Sequence, residues 1–227
     1  MVESQHQIAT RKLVDSDAEQ LVLEQLIDSA KPPQRTRATL HYLLSTPFRY
    51  PPLRYGSRFG GRSEPGIWYG SETQRTAFTE VAYYRLLFLE GTSADLGLLE
   101  TELTAFRATV ETARGVDLSA KAFARFHDAL ASKTSYDATQ RLGTAMRTAG
   151  VEAFRYVSAR DLTGGINIGV FSAAAFGRRQ PKALETWHCA ATRQQVELLR
   201  RDYFARASHR FERSEFLVGG VLPAPAL

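Results

Sequence analysis

The stretch VEAFRYVSARDLTGGINIGVF, residues 151–171, decides the fold class. VEAFRYV (151–157) is rich in β-branched and aromatic residues and reads as a strand. Ser158 stands where that strand ends, Gly164-Gly165 makes a turn, and INIGVF (166–171) is the return strand. No helix separates the two strands, so the strict alternation of a doubly wound sheet is broken here.

Upstream, GIWYG (66–70) reads as a short strand. Ser71 and Gln74 form an S-x-x-Q capping box that opens a helix to about Leu89, with Ala77, Val81, Tyr84 and Phe88 as its apolar stripe and Gly91 as its stop. A strand is expected within 96–110, from its period near two. Helices are expected from Leu118 to about Ser132, with Phe123, Phe126 and Leu130 inward, and from Asp137 to Gly150, with Leu142, Met146 and Ala149 inward. Downstream, strands are expected around 183–191 and 203–218.

At the other end, residues 1–12 are polar and expected to fray. Ser16 and Glu19 form a capping box for a helix that Lys31-Pro32-Pro33 ends. A short second helix is expected over 38–44, closed by Pro47. The mixture fits α+β: a single mixed domain over 46–220, an N-terminal helical extension over 1–45 and a short tail over 221–227.

Composition excludes several classes. Of 227 residues, 44% are hydrophobic and 23% charged, values of an ordinary globular chain rather than a disordered or collagen-like one. No apolar run approaches the length of a membrane span, and MVESQHQIATRK has no apolar signal core, so the expected location is the cytoplasm, without a membrane partner. One cysteine, Cys189, excludes a disulfide framework. The histidines are dispersed, so no metal site is expected. GxSxG, GxxxxGK[ST] and GxGxxG are all absent, which removes the signals for an α/β-hydrolase, a P-loop and a Rossmann site. The net charge of +5 fits an anionic small molecule, a nucleic acid or an acidic protein, and composition does not choose among them.

Residues 47–66 hold four arginines and four aromatics among prolines and glycines. Regular structure cannot persist there, yet a solvated linker would not carry so many aromatics, so the segment reads as an ordered loop with a cationic lining. Within it, Arg58 reads either as a surface arginine or as an anion clamp, since a guanidinium fork grips a diphosphate bidentately. Glu80 lies mid-helix, with Thr76 and Tyr84 at i−4 and i+4, toward the domain, and reads either as a partly exposed helical glutamate or as a functional carboxylate. Tyr69 reads as a strand-packing aromatic or a ligand platform, and Ser158 as a turn cap or an anion contact.

The run GSRF…PGIWYGSETQRTAFTEV followed by RYVSAR…GGINIGVF resembles the RES domain family, named for an Arg, a Glu and a Ser. The resemblance covers roughly residues 46–220, and carries Arg58, Tyr69, Glu80, Ser158 and Asn167 onto the family's pattern. An early family Arg falls on Arg49 or Arg54, with Arg49 preferred. The family's Arg-Trp-Asn-x-x-Gly is Arg58-Phe59-Gly60-Gly61 here.

That resemblance implies a central β core similar to ADP-ribosyltransferase toxins. It implies an enzyme that cleaves the nicotinamide–ribose bond of NAD+ and transfers ADP-ribose to inorganic phosphate, with no cofactor. Arg58, Tyr69 and Glu80 would be catalytic, and Arg49, Ser158 and Asn167 would bind NAD+ or phosphate. A cognate antitoxin is the implied protein partner, and nucleic acid is met only through it. The alternatives are a mono-ADP-ribosyltransferase acting on a protein, and a non-enzymatic RNA- or protein-binding module.

Overall fold

The computed structural model describes residues 2–3, 14–30, 40–49 and 55–225. Two sheets form its frame. One has five strands in the order β1-β3-β7-β8-β9, all antiparallel: β1 (Val2–Glu3), β3 (Leu99–Arg107), β7 (Lys182–Ala191), β8 (Gln195–Arg200) and β9 (Ser208–Glu212). The other has four in the order β2-β6-β5-β4: β2 (Trp68–Ser71), β6 (Ile166–Val170), β5 (Ala153–Val157) and β4 (Gly115–Asp117). There β2, β6 and β5 are antiparallel and β4 runs parallel to β5. The helices are α1 (Asp17–Ala30), α2 (Tyr42–Arg49), α3 (Gln74–Gly91), α4 (His127–Leu130) and α5 (Asp137–Thr148). Helices and mixed sheets in one unit make the chain α+β, as the sequence reading expects.

The 18-residue α3 is the element on which the architecture turns. Phe78, Ala82, Tyr83, Leu86 and Leu89 are buried against Leu103, Trp187, Cys189, Val196, Leu198 and Phe211 of the five-stranded sheet. Each large side chain withdrawn from water in this way contributes roughly 1.5–3 kcal/mol. Of the expected stripe of Ala77, Val81, Tyr84 and Phe88, Val81 packs against this core, whereas Tyr84 and Phe88 are 52% and 56% exposed. Both stripes recur at i, i+4, so periodicity favours neither.

The four-stranded sheet is covered on both faces. Phe154 and Tyr156 of β5 pack with Phe59, Leu118, Leu130 and Met146 on one side. Ala153 and Val170 pack with Leu44, Ala175 and Phe176 on the other, which is the side that carries α2. Gly169 is required where β6 passes beneath Phe154, because a Cβ there would meet the Phe154 ring at 2.1 Å.

Several local expectations are corrected. Val2 and Glu3 pair with Thr104 and Leu103 as a short edge strand rather than fraying. Pro47 lies inside α2 rather than closing it. A proline gives no N–H to the carbonyl four residues back, and here Nε1 of Trp68 donates to that Leu43 carbonyl at 3.3 Å. The N-cap of α3 is Thr73, whose hydroxyl accepts from N of Thr76 at 3.1 Å; Ser71 still belongs to β2. Gly91 is the last residue of α3, followed by Thr92 in extended conformation.

Residues 121–130 form a 3-10 turn (Lys121–Phe126) and the short α4, with Phe126 exposed, instead of one helix with Phe126 inward. Ala149 at the end of α5 is likewise exposed. The strand Gln195–Arg200 falls outside the expected elements, although its Val196 and Leu198 alternate inward. At α1 the serine half of the expected capping box forms, with N of Glu19 donating to Oγ of Ser16 at 3.2 Å, but the Glu19 carboxylate reaches one residue further back, to N of Asp15 at 2.9 Å. Among the described residues no helix is long and apolar enough to cross a membrane.

Candidate active site

A cavity of about 420 Å³ opens between α3 and the face of the four-stranded sheet that carries Tyr156 and Asn167. The β-register builds its floor. Ser71 on β2, Asn167 on β6 and Tyr156 on β5 are direct cross-strand partners, so the three side chains form one row on one face. The stripe of Ala77, Val81, Tyr84 and Phe88 on α3 lines the opposite wall, which is why Tyr84 and Phe88 are apolar without being core. Glu80 stands on that wall.

Glu80 is gripped from two sides at one oxygen. Oγ of Ser158 donates to Glu80 Oε1 at 2.7 Å, and Nδ2 of Asn167 donates to the same Oε1 at 2.6 Å. Among the described residues, no hydrogen bond occupies Oε2. The Ser158 hydroxyl has no freedom left: its oxygen accepts from N of Arg160 at 3.1 Å and N of Asp161 at 3.0 Å, so its one hydrogen goes to Glu80. Ser158 is therefore both a turn cap and a ligand of Glu80, and its oxygen offers nothing to an anion. Behind it, Asp161 Oδ2 accepts from Oγ1 of Thr76 at 2.8 Å, which ties the turn to the first part of α3. The buried Arg160 places its guanidinium 3.7 Å from the Tyr83 ring centroid, a face that attracts cations.

Arg58 is 8% exposed and lines the cavity. Its Nη1 donates to the carbonyls of Leu130 at 3.3 Å and Ser132 at 2.9 Å, and its guanidinium lies 4.6 Å from the Tyr136 ring centroid. The cation is thus fixed by backbone and ring, and Nε and Nη2 have no hydrogen-bond partner among the described residues. Tyr69 is fixed as well: its hydroxyl meets Oγ of Ser57 at 2.9 Å and accepts from N of Phe59 at 3.1 Å.

Three tyrosines around the carboxylate, Tyr69, Tyr84 and Tyr156, are held neutral. Burial pushes the Tyr69 hydroxyl up to about 12, against the opposing bonds from Ser57 and Phe59. Burial and the nearby Glu80 charge raise Tyr156 well above its ordinary value. Loss of water around its hydroxyl inside the cavity, with Tyr136 and the Glu80 charge nearby, raises Tyr84 as well, although the residue as a whole is half exposed. The cavity therefore sets one carboxylate, Glu80, beside two guanidinium groups, Arg58 and Arg85, and neutral phenols, an arrangement suited to an anionic substrate that develops positive charge next to the carboxylate.

Four of the six residues predicted for the site, Arg58, Tyr69, Glu80 and Asn167, line the cavity, and Ser158 adjoins it through Glu80. Arg49 does not line it. It ends α2, which packs on the opposite face of the four-stranded sheet. Arg54, its rival, lies outside the described residues. Ser71, Tyr84, Arg85, Tyr136 and Tyr156 also line the cavity, and sequence reasoning missed them as site residues. For Ser71 and Tyr156 the available signal was their alternation with other inward residues on β2 and β5. No cluster of three or more His, Cys, Asp or Glu able to hold a metal occurs among the described residues.

An Arg, a Glu and a Ser, 22 and then 78 residues apart, thus meet around one cavity, and the sequence model of the RES domain matches residues 32–192. The chain belongs to the RES domain family. RES domains are associated with toxin–antitoxin pairs and with enzymes that act on NAD. The RES match contains all the cavity residues named above and leaves α1, β8 and β9 outside it. No curated protein matches the chain.

Proposed function

We propose that this RES domain cleaves the nicotinamide–ribose bond of NAD+ and transfers the ADP-ribosyl group to inorganic phosphate. The observation that carries the reading is the Glu80 carboxylate, held at Oε1 by Ser158 and Asn167 with Oε2 left for substrate.

In the reaction the ribose C1–nitrogen bond breaks and its electron pair neutralises the pyridinium, so nicotinamide leaves uncharged without needing an acid. Neutral tyrosines suit that requirement. Positive charge then develops on the ribose, and Oε2 of Glu80 stabilises it and bonds the ribose hydroxyls. Arg58 offers Nε and Nη2 to the pyrophosphate from a position its backbone partners fix in advance. Tyr69 and Tyr156 bound the reacting ring. An oxygen of phosphate attacks C1, giving ADP-ribose-1″-phosphate. Ser158 acts in this reading through Glu80, and Arg49 takes no part.

An enzyme that drains NAD+ arrests its own cell, so a cognate antitoxin completes the reading. The deciding experiment incubates purified protein with labelled NAD+, with and without phosphate, and separates the products. Phosphate-dependent release of nicotinamide with a labelled phosphate ester is expected. Label on protein would make the chain a mono-ADP-ribosyltransferase. Intact NAD+ together with salt-sensitive RNA binding would make it a binding module.

A further inference from the structure

We infer that Ser71 is a positioning residue of this site, acting on Glu80 through the side-chain amide of Asn167. The inference deepens the proposed reaction and rests on it for its kinetic readout, but not for its structural one.

Ser71 and Asn167 face each other directly across β2 and β6, so their Cβ atoms lie on the same face in adjacent strands. Oγ of Ser71 donates to Oδ1 of Asn167 at 2.6 Å, and Nδ2 of the same amide donates to Glu80 Oε1 at 2.6 Å. The two bonds run head to tail from hydroxyl to amide to carboxylate. In such a chain the first bond polarises the amide and strengthens its N–H as a donor. It also fixes the amide plane, because an Asn terminal torsion is otherwise broad.

Among the described residues nothing else in the site performs this task. Ser158 is immobilised by two backbone N–H groups, so its grip on Glu80 needs no further support. Asn167 is buried with its backbone in the sheet, and its side chain depends on Ser71 at one end and Glu80 at the other. Losing Ser71 lets the amide rotate away from Oε1. The carboxylate then has one donor instead of two, and Oε2 loses its fixed direction toward the substrate.

The test is a double-mutant cycle on the full chain, read in NAD+ turnover. Ser71→Ala should lower kcat on the order of tenfold, the worth of one hydrogen bond, with KM changed much less. Ser71→Thr, which keeps the hydroxyl, should restore most of the rate. In an Asn167→Ala background, Ser71→Ala should cost almost nothing further, since its only route to Glu80 is gone. Costs that add in the double variant would show that Ser71 acts on substrate or fold directly, and would overturn the inference.

A second measurement is independent of any activity. In a ¹⁵N spectrum the Asn167 side-chain amide of the wild-type protein should exchange slowly, and Ser71→Ala should release it. An amide equally protected in both proteins would overturn the inference even if turnover had changed. A wild-type chain that leaves NAD+ intact but shows the protection and its loss would sink the proposed reaction and leave the positioning role standing.

Discussion

Oγ of Ser158 lies 2.7 Å from Oε1 of Glu80, across a sequence separation of 78 residues. That bond joins the end of β5 to the middle of α3. Its serine also receives the backbone N–H groups of Arg160 and Asp161. Ser158→Ala removes one donor from the carboxylate and leaves two buried N–H groups without their acceptor. We expect stability to fall by about 1–3 kcal/mol and turnover to fall on the order of tenfold at temperatures where the variant is still folded. Urea denaturation beside NAD+ kinetics checks both. A loss of stability with unchanged kcat would confine Ser158 to turn capping.

Glu80→Gln separates charge from shape. The amide oxygen of glutamine can still accept from Ser158 and Asn167, so the fold and the grip should persist. The negative charge facing the ribose is gone. Turnover should fall by roughly two to four orders of magnitude, the range seen when a preorganised electrostatic group is lost. NAD+ binding measured by calorimetry should change far less. Near-wild-type turnover in a folded variant removes Glu80 from the chemistry.

Arg58→Lys tests more than anion binding. The fork is anchored on two carbonyls through Nη1 and lies against Tyr136, so lysine forfeits geometry that its single ammonium cannot reproduce. Stability should drop by about 1–3 kcal/mol, and affinity for NAD+ should weaken once the unfolded fraction is accounted for. Unchanged affinity in the folded fraction would reduce Arg58 to a clamp between the loop and the 130–132 segment.

The order of Arg58, Tyr69, Glu80, Ser158 and Asn167 was readable because the motif carries it, and the 151–171 turn was readable because glycines and alternation announce it. The partners of those residues were not. Ser158 could be read as a turn cap or an anion contact because the atom that decides, Glu80 Oε1, is remote in sequence. The stripe of Ala77, Val81, Tyr84 and Phe88 was visible, but a helix with two apolar stripes gives no local sign of which faces core and which faces a cavity. In sequence Ser71 and Gln74 make the better box, which hides Thr73 as the N-cap. The register with Asn167 keeps Ser71 in the strand and leaves the cap to the next hydroxyl. Pro47 was read as a stop because the Trp68 side chain that takes the Leu43 carbonyl is 25 residues from it.

The turn behind the site sets an acid limit on stability, and Asp161 is the group that shows it. Burial alone pushes its carboxyl up, but the hydroxyl and N–H of Thr163, the hydroxyl of Thr76 and the charge of Arg75 together hold it below the ordinary carboxylate value. The ionised form is therefore favoured in the folded protein. Its contribution is fully present above the unfolded value of about 4 and is lost as pH falls through the folded value. Asp161→Asn should flatten that part of the acid limb, with the urea midpoint losing less between pH 5 and pH 2 than in the wild type, by pH-resolved denaturation. Gly165→Ala reaches the same contact sterically: a Cβ there would stand 2.1 Å from Oγ1 of Thr76 and 2.5 Å from Oδ2 of Asp161, so the bond between them must open. That variant should be destabilised at neutral pH and flatten the acid limb less than Asp161→Asn does, because the two bonds from Thr163 remain. An acid limb as steep as wild type in both variants would mean that another carboxylate governs acid unfolding.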